Sequence, residues 1–457
     1  MNKTVDMTQG RPLGLLLRFA VPLMLGSLCQ ILYAAADGAV AGRIMGVDAF
    51  AAIGAANFLT LLAFEIILGL TQGFGVVFAQ LFGKKDYPCL RGAVAAALLL
   101  SAVISALLTA AGLVYAKPVL LLMNTPRELL PDAHSYVCWM YGGIAVTLSN
   151  RLFCTLLLSL GNSGIPVTAN TASCVLNILL DLLFVAVFHW GVAGAAAATL
   201  TAQLGSAVYC AIKLRDISQM RLSRQDFHLS PSLTRELLRL GIPMAFRSGV
   251  IAIGGLFVQT AINGYGKLFV AGMAAAEKFF ELITFSGSAF EGAFGIYSAQ
   301  NFGAGDMPRL RKGFRCSVLL SLAGASVMAA VVAAFGRKLI GLLITGESGD
   351  MQQIIQTGYE YLVILAVTVP LMFLLCLYRA GLQGMGGALV PTLSGFVELG
   401  VRIMSVSLLP TVLDKWAVYL ASPLGWLAAA LLLGVSYHQR YRRQIREKDR
   451  PDGVQRL

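Results

Sequence analysis

Apolar stretches of about 20 residues or more alternate with short polar breaks along the whole chain, and no stretch shows the sustained alternation of strands. A sliding hydropathy window places about twelve spans, at 13–40, 51–82, 92–115, 136–160, 167–188, 192–213, 238–265, 268–302, 313–335, 359–382, 390–411 and 416–437. The longest break in hydrophobicity, 214–235, separates six spans from six. This predicts an all-α polytopic membrane protein. Its N-terminal six-helix bundle covers 1–215, a linker 216–236, a C-terminal six-helix bundle 237–438 and a basic tail 439–457. A membrane β-barrel is excluded, because the apolar runs far exceed its ~9–11-residue strands.

The two halves repeat. Ala79-Gln80-Leu81-Phe82-Gly83 matches Ala299-Gln300-Asn301-Phe302-Gly303 at an offset of 220 (300 − 80), and Asp86, Leu90 and Arg91 continue onto Asp306, Leu310 and Arg311. Phe19-Ala20-Val21-Pro22 answers Leu240-Gly241-Ile242-Pro243; later, Leu160-Gly161 and Pro166 answer Met385-Gly386 and Pro391. Six spans per repeat is an even number, so both halves run the same way and relate by a pseudo-two-fold along the membrane normal. Gly69, Gly73 and Gly75 fall in the second span and Gly287, Gly292 and Gly295 in the eighth, spans equivalent in the repeat, and such small residues permit close helix approach. Pro22 and Pro243 each remove a backbone hydrogen bond near the head of a half and offer hinges.

Composition agrees with this picture: 57% hydrophobic, 13% charged and a mean hydropathy of +0.74. The net charge of +12 does not indicate nucleic acid, because the basic residues cluster in short loops and the tail. Lys84, Lys85 and Arg91 form one group and Lys213, Arg215, Arg221 and Arg224 a second; Arg309, Arg311, Lys312 and Arg315 form a third, and Arg440, Arg442, Arg443, Arg446 and Lys448 the last. That distribution places both termini of a multi-pass membrane protein in the cytoplasm, with membrane lipid as a partner. The first span carries Asp37 and no evident cleavage site, and reads as a retained helix rather than a signal peptide. Eight scattered cysteines and four dispersed histidines suggest neither disulfides nor a metal site.

Within such spans a carboxylate is expensive, by ~2.5–3.5 kcal/mol on insertion scales, and marks a partner or a water-filled cavity. Two aspartates sit deep. Asp181 shares a helix face with Asn177 and Ser173, and Asp37 shares one with Gln30 and Tyr33. The repeat counterparts are apolar: Phe257 or Val258 for Asp37, and Val406 for Asp181. The carboxylates therefore belong to one half and are not demanded by the shared fold. In the eighth span, Glu277, Glu281 and Glu291 either line a cavity or serve as partners for Arg247. Glu398 and Arg402 are spaced to pair within one helix, and Arg151 and Arg379 read as snorkelling structural residues. No Gly-x-Gly-Asp stretch, His-Glu-x-x-His motif or P-loop supports an enzyme or an ATP-driven pump.

The chain resembles the multidrug and toxic compound extrusion (MATE) transporters. The resemblance is carried by Phe19-Ala20-Val21-Pro22, by Asp37 ahead of Ala41-Gly42-Arg43, and by Gly161-Asn162-Ser163-Gly164 before Pro166. Asn177 with Asp181, and Ala299-Gln300-Asn301-Phe302-Gly303-Ala304-Gly305, complete it. It looks closest to the bacterial subgroup named after the DNA-damage-inducible F protein. That likeness implies a two-bundle MATE/MOP-type fold and a proton or sodium site at Asp37, Asn177, Asp181 and Thr199, with no other cofactor. Leu182 stands where the subgroup has proline. No acidic residue lies in 245–263, so the C-terminal sodium site of the other bacterial subgroup is not expected. The implied function is secondary antiport: a monomer exporting organic cations and xenobiotics by alternating access. Gln30, Tyr33, Gln203, Gln259, Asn263, Glu277, Glu281 and Glu291 are the candidate cavity residues. The competing reading is a flippase or exporter of a lipid-linked or anionic metabolite from the same superfamily, kept open by Arg151, Arg247, Arg379 and Arg402.

Overall fold

Inside hydrocarbon every backbone N–H and C=O must be satisfied within its own segment, so apolar runs of this length fold as helices. The computed structural model describes residues 4–44, 46–228, 230–342 and 348–448; the side chains of 31–44, 47, 50, 252, 253, 256, 285, 286 and 348 lie outside the description. The first half holds α1 (Pro12–Ile44), α2 (Val47–Lys84), α3 (Tyr87–Leu122), α4 (Leu130–Gly142), α5 (Ile144–Ser159), α6 (Gly164–Asp181) and α7 (Gly191–Arg215). The second holds α8 (Pro231–Asn263), α9 (Lys267–Gly303), α10 (Met307–Leu342), α11 (Ser348–Gly384), α12 (Leu389–Leu408), the short α13 (Pro410–Leu413) and α14 (Lys415–Lys448).

Among the described residues, nine helices are long and apolar enough to cross a membrane, or ten when α4 and α5, bent by 48° at Gly143, are taken as one span. The 33-residue α8 and the 37-residue α9 also exceed the ~20 residues a crossing requires. The basic tail is helical through Lys448, where Arg440 donates from Nη2 to the Met385 carbonyl at 2.7 Å.

The repeat is written into the backbone. Helices α3 and α10 begin and end 220 residues apart (307 − 87 and 342 − 122). Left-handed residues recur with them: Gly46 (φ 85°) and Gly266 (φ 89°), then Lys85 (φ 62°) and Gly305 (φ 71°). Beyond α10 the offset becomes 225: Gly161 (φ 82°) answers Gly386 (φ 77°), and His189 (φ 54°) answers Asp414 (φ 48°). Glycine relieves the Cβ clash of that conformation at five of the six positions that precede α2 and α9, α3 and α10, and α6 and α12.

Two compact units form. Unit 1 holds Val21–Ala245 with the chain's start through Asp6; unit 2 holds Met7–Ala20 and the chain from Phe246 on. Helices α1 and α8 each pass from one unit to the other within three residues of Pro22 and Pro243. In unit 1, α5 packs on α2 and α7, α6 on α7, and α3 on α4, around fully buried Phe74, Phe78, Leu148 and Leu152. The first part of α8 approaches α2 until backbones touch. A Cβ on Gly69 would lie 2.5 Å from the Met244 carbonyl oxygen, and one on Gly73 2.5 Å from Gly241 Cα. In unit 2, α11 packs on α9, α10 and α14, and α12 on α14. Its core is aromatic, with Phe269, Tyr361, Phe373, Tyr419 and Trp426 buried together. Met7 is also buried there: its N–H donates to Gln300 Oε1 at 2.9 Å and its carbonyl accepts from Asn301 Nδ2 at 3.1 Å.

The connection after α7 makes two short 3₁₀ turns, Ser218–Met220 and Arg224–Phe227. Asp226 caps the second, accepting from the Ser223 N–H at 2.7 Å and the Ser223 hydroxyl at 2.8 Å, and Arg91 Nε of α3 reaches it at 3.3 Å. Burial pushes the Asp226 carboxyl up, but the Ser223 donors and the Arg91 guanidinium outweigh it and hold it below the ordinary 3.8.

Two outcomes follow. Gly73→Ala forces α2 off α8 and lowers the melting temperature in detergent, with ~1–3 kcal/mol of overpacking; Gly54→Ala, with nothing within 4 Å of its Cβ, raises it by ~0.5–1 kcal/mol of recovered helix propensity. A depressed folded pKa contributes stability above the unfolded value that is lost as pH falls through the folded one. Asp226→Asn therefore costs up to ~1 kcal/mol at neutral pH, and the gap between variant and wild type closes in melts run progressively below pH 4.

Candidate functional site

Helix α6 delivers Asn177 and Asp181 one turn apart, each only 3% exposed, with Ser173 half-buried a further turn back. Immediately after Asp181 the helix widens into a π-helical segment, Leu182–Val187, where Phe188 N–H bonds the Leu183 carbonyl at 2.9 Å. Such segments unwind easily and concentrate at functional positions. The segment ends in an aromatic stack of Phe184 on Trp190 at 4.9 Å.

Helix α7, which packs on α6, presents Thr199 half-buried, its hydroxyl donating to the Ala195 carbonyl at 3.0 Å. That bond uses the proton and leaves the oxygen lone pairs to accept or to ligate. Helices α5 and α7 are tied at three levels, all 56 residues apart. Thr147 Oγ1 donates to Gln203 Oε1 at 2.7 Å, Ser206 Oγ to Asn150 Oδ1 at 2.8 Å, and Cys154 and Cys210 sulfurs meet at 3.8 Å. Sequence reasoning took Gln203 alone from this set. The signal was present in the matched spacings 147, 150, 154 and 203, 206, 210, a helical stripe on each partner. Gln30 is exposed at the edge of the described side chains; those of Tyr33 and Asp37 lie outside the description.

In unit 2 the remaining candidates divide. Gln259 Nε2 donates to Asn263 Oδ1 at 3.0 Å along one exposed face of α8. Glu277 accepts from the Tyr361 hydroxyl at 3.0 Å, and Glu281 pairs with Lys278 at 3.3 Å. Glu291 is half-buried, and among the described residues none of the three forms an ion pair with Arg247. The snorkelling reading of Arg379 is corrected: it is 6% exposed and reaches Glu398 Oε2 at 3.4 Å, because a buried carboxylate on α12 is a better partner than a distant interface. Glu398 also accepts from Arg402 one turn on, as its spacing predicts. Among the described residues no group of three or more His, Cys, Asp or Glu side chains could hold a metal ion.

Known proteins place this architecture. A family model described as MatE matches residues 22–183 and 243–407, one block in each half of the repeat. The probable multidrug resistance protein YpnP of Bacillus subtilis (strain 168) is 28% identical over 373 residues, 80% of this chain and 81% of that protein. A protein of Shewanella oneidensis named FAD transporter is 24% identical over 351 residues, 73% of this chain and 75% of that one. The fold matches that of a MOP superfamily transporter from Pyrococcus furiosus with a TM-score of 0.89 at 21% identity, over 97% of this chain and 99% of that one. A helical repeat, matched by the family model through most of both halves, identifies the chain as a member of the MatE family, a multi-pass multidrug and toxic compound extrusion transporter and not an enzyme.

Proposed function

We propose that the protein exports amphipathic organic cations in exchange for protons, with Asp37 and Asp181 as the coupling carboxylates. The observation that carries this is Asp181, 3% exposed in mid-unit beside the equally buried Asn177, directly before a π-helical turn. An ionised carboxylate there attracts a cation; protonation cancels the charge and releases it, so proton and cargo exclude one another. Asn177 and Thr199 orient the carboxylates by hydrogen bonds. The same oxygens suit sodium, which is the alternative coupling ion. Pro22 and Pro243, close to where α1 and α8 change unit, are the bend points through which facing would change. The basic loop clusters favour cytoplasmic termini in a prokaryotic inner membrane. The multidrug name of the Bacillus relative supports a xenobiotic cargo.

A second reading is export of an anionic or lipid-linked metabolite. It draws support from the relative named FAD transporter and from the arginines of unit 2. Charge balance separates the coupling modes: one proton exchanged for a monovalent cation is electroneutral, whereas each extra charge moved adds ~2.3 kcal/mol per 100 mV.

Efflux of ethidium from proteoliposomes under an imposed pH gradient, then a sodium gradient, tests the proposal. Wild type is expected to respond to the pH gradient. Asp37→Asn and Asp181→Asn are expected to insert at wild-type levels and fall to the rate of empty vesicles. Efflux by both variants at the wild-type rate would make the aspartates structural and remove the coupling site.

A further inference from the structure

The repeat register exposes a second buried polar site. At the offset of 225 shared by Gly161 and Gly386, Ser173, Asn177 and Asp181 of α6 correspond to Glu398, Arg402 and Val406 of α12 (398 − 173, 402 − 177, 406 − 181). The same step takes Cys154 to Arg379 (379 − 154). The helix face that carries an aspartate in unit 1 thus carries an ion cluster in unit 2.

Glu398 is 6% exposed and both its oxygens are taken, Oε2 by Arg379 and Oε1 by Arg402. Arg247 of α8 is 8% exposed, and among the described residues it makes no hydrogen bond or ion pair; its Nε is buried without a partner. Its stem crosses α12 at Gly395, where a Cβ would lie 3.1 Å from Arg247 Cγ, one turn before Glu398. On the other side Gly425 of α14 leaves room for the pair: a Cβ there would meet Glu398 Cγ at 3.2 Å and Arg402 Cγ at 3.4 Å. Arg247 is therefore packed against the helix that carries Glu398, whose two oxygens are already taken by other arginines. Glu291 is a second anion whose charge reaches Arg247 and Arg379, and Glu277 a third whose charge reaches Arg402, yet among the described residues Arg247 alone of the three arginines makes no direct bond to any of them.

An arginine cannot escape this by losing its proton at neutral pH, and an unpaired buried charge is strongly destabilising. A planar fork with free donors, held by packing in a low-dielectric interior, is a receptor for an oxyanion.

We propose that Arg247, with Arg379 and Arg402 behind it, forms a subsite in unit 2 that takes a carboxylate or phosphate group of the transported molecule. The proposal rests on the exporter reading and narrows its cargo to organic cations that also carry an acidic group, zwitterions above all. Arg247 makes the new contact, while Arg379 and Arg402, tied to Glu398, supply field and position.

The test is equilibrium binding to the purified full-length protein in nanodiscs, with no gradient applied. Its probes are a rhodamine with a free carboxylate, the methyl ester of the same dye, and FAD as the phosphate arm. Wild type is expected to prefer the free acid to the ester. Arg247→Gln is expected to weaken the free acid about tenfold or more while shifting the ester less than about twofold. Dependence on Arg247 seen with FAD instead of the free acid assigns the subsite to phosphate and also supports the proposal. Should Arg247→Gln not fold, Arg247→Lys serves: charge without the fork reduces the preference for the free acid but keeps its sign. Equal loss for acid and ester, or no effect of either variant on any anionic probe, overturns the subsite. Because binding is read without coupling, a neutral Asp181→Asn in efflux would sink the antiport site and leave this result untouched.

Discussion

A charge inside hydrocarbon must be answered by another charge, by hydrogen bonds or by a ligand, and that requirement organises both units. Unit 1 confines its cost to α6, where Asn177 and Asp181 are buried one turn apart and the helix loosens directly afterwards. Unit 2 spends the equivalent face on Glu398 and Arg402, then adds Arg379 and Arg247 from neighbouring helices. The backbone is duplicated; the electrostatics are not. A shared scaffold thus carries different charged side chains on one equivalent face: what recurs in both halves is what the fold needs, and these charges do not recur.

Much of this was legible in the chain. The apolar runs required helices because no other structure satisfies a backbone in lipid, and the Ala-Gln-x-Phe-Gly pair at offset 220 announced the duplication that Gly46, Gly266, Lys85 and Gly305 later repeat in their φ angles. The placement of Asp181 and Asn177 on one face followed from helical periodicity alone. What stayed hidden depended on partners far away in sequence. Arg379 looks like a snorkelling residue until α12 brings Glu398 to it, and the Gln203 bond to Thr147 exists only once α5 lies against α7. The π turn after Asp181 has no local marker, since Leu182–Val187 is an ordinary apolar run.

Close packing works alongside the charges. Without a hydrophobic drive between helices in lipid, association relies on contact, and Gly69 and Gly73 let α2 meet the first part of α8 at backbone distance. Pro243 follows Gly241 by two residues, so a rigid seam and a missing backbone hydrogen bond sit side by side on α8. Such a junction concentrates bending at one level and spares the packed segment below it.

The three polar rungs between α5 and α7 carry a consequence for motion. Because Thr147–Gln203, Asn150–Ser206 and Cys154–Cys210 share a single spacing of 56, the two helices run parallel in one register, and a slide of one along the other strains all three contacts together. Each hydrogen bond adds only ~0.5–1.5 kcal/mol, but acting in concert they favour motion of α5 and α7 as one piece over shear between them.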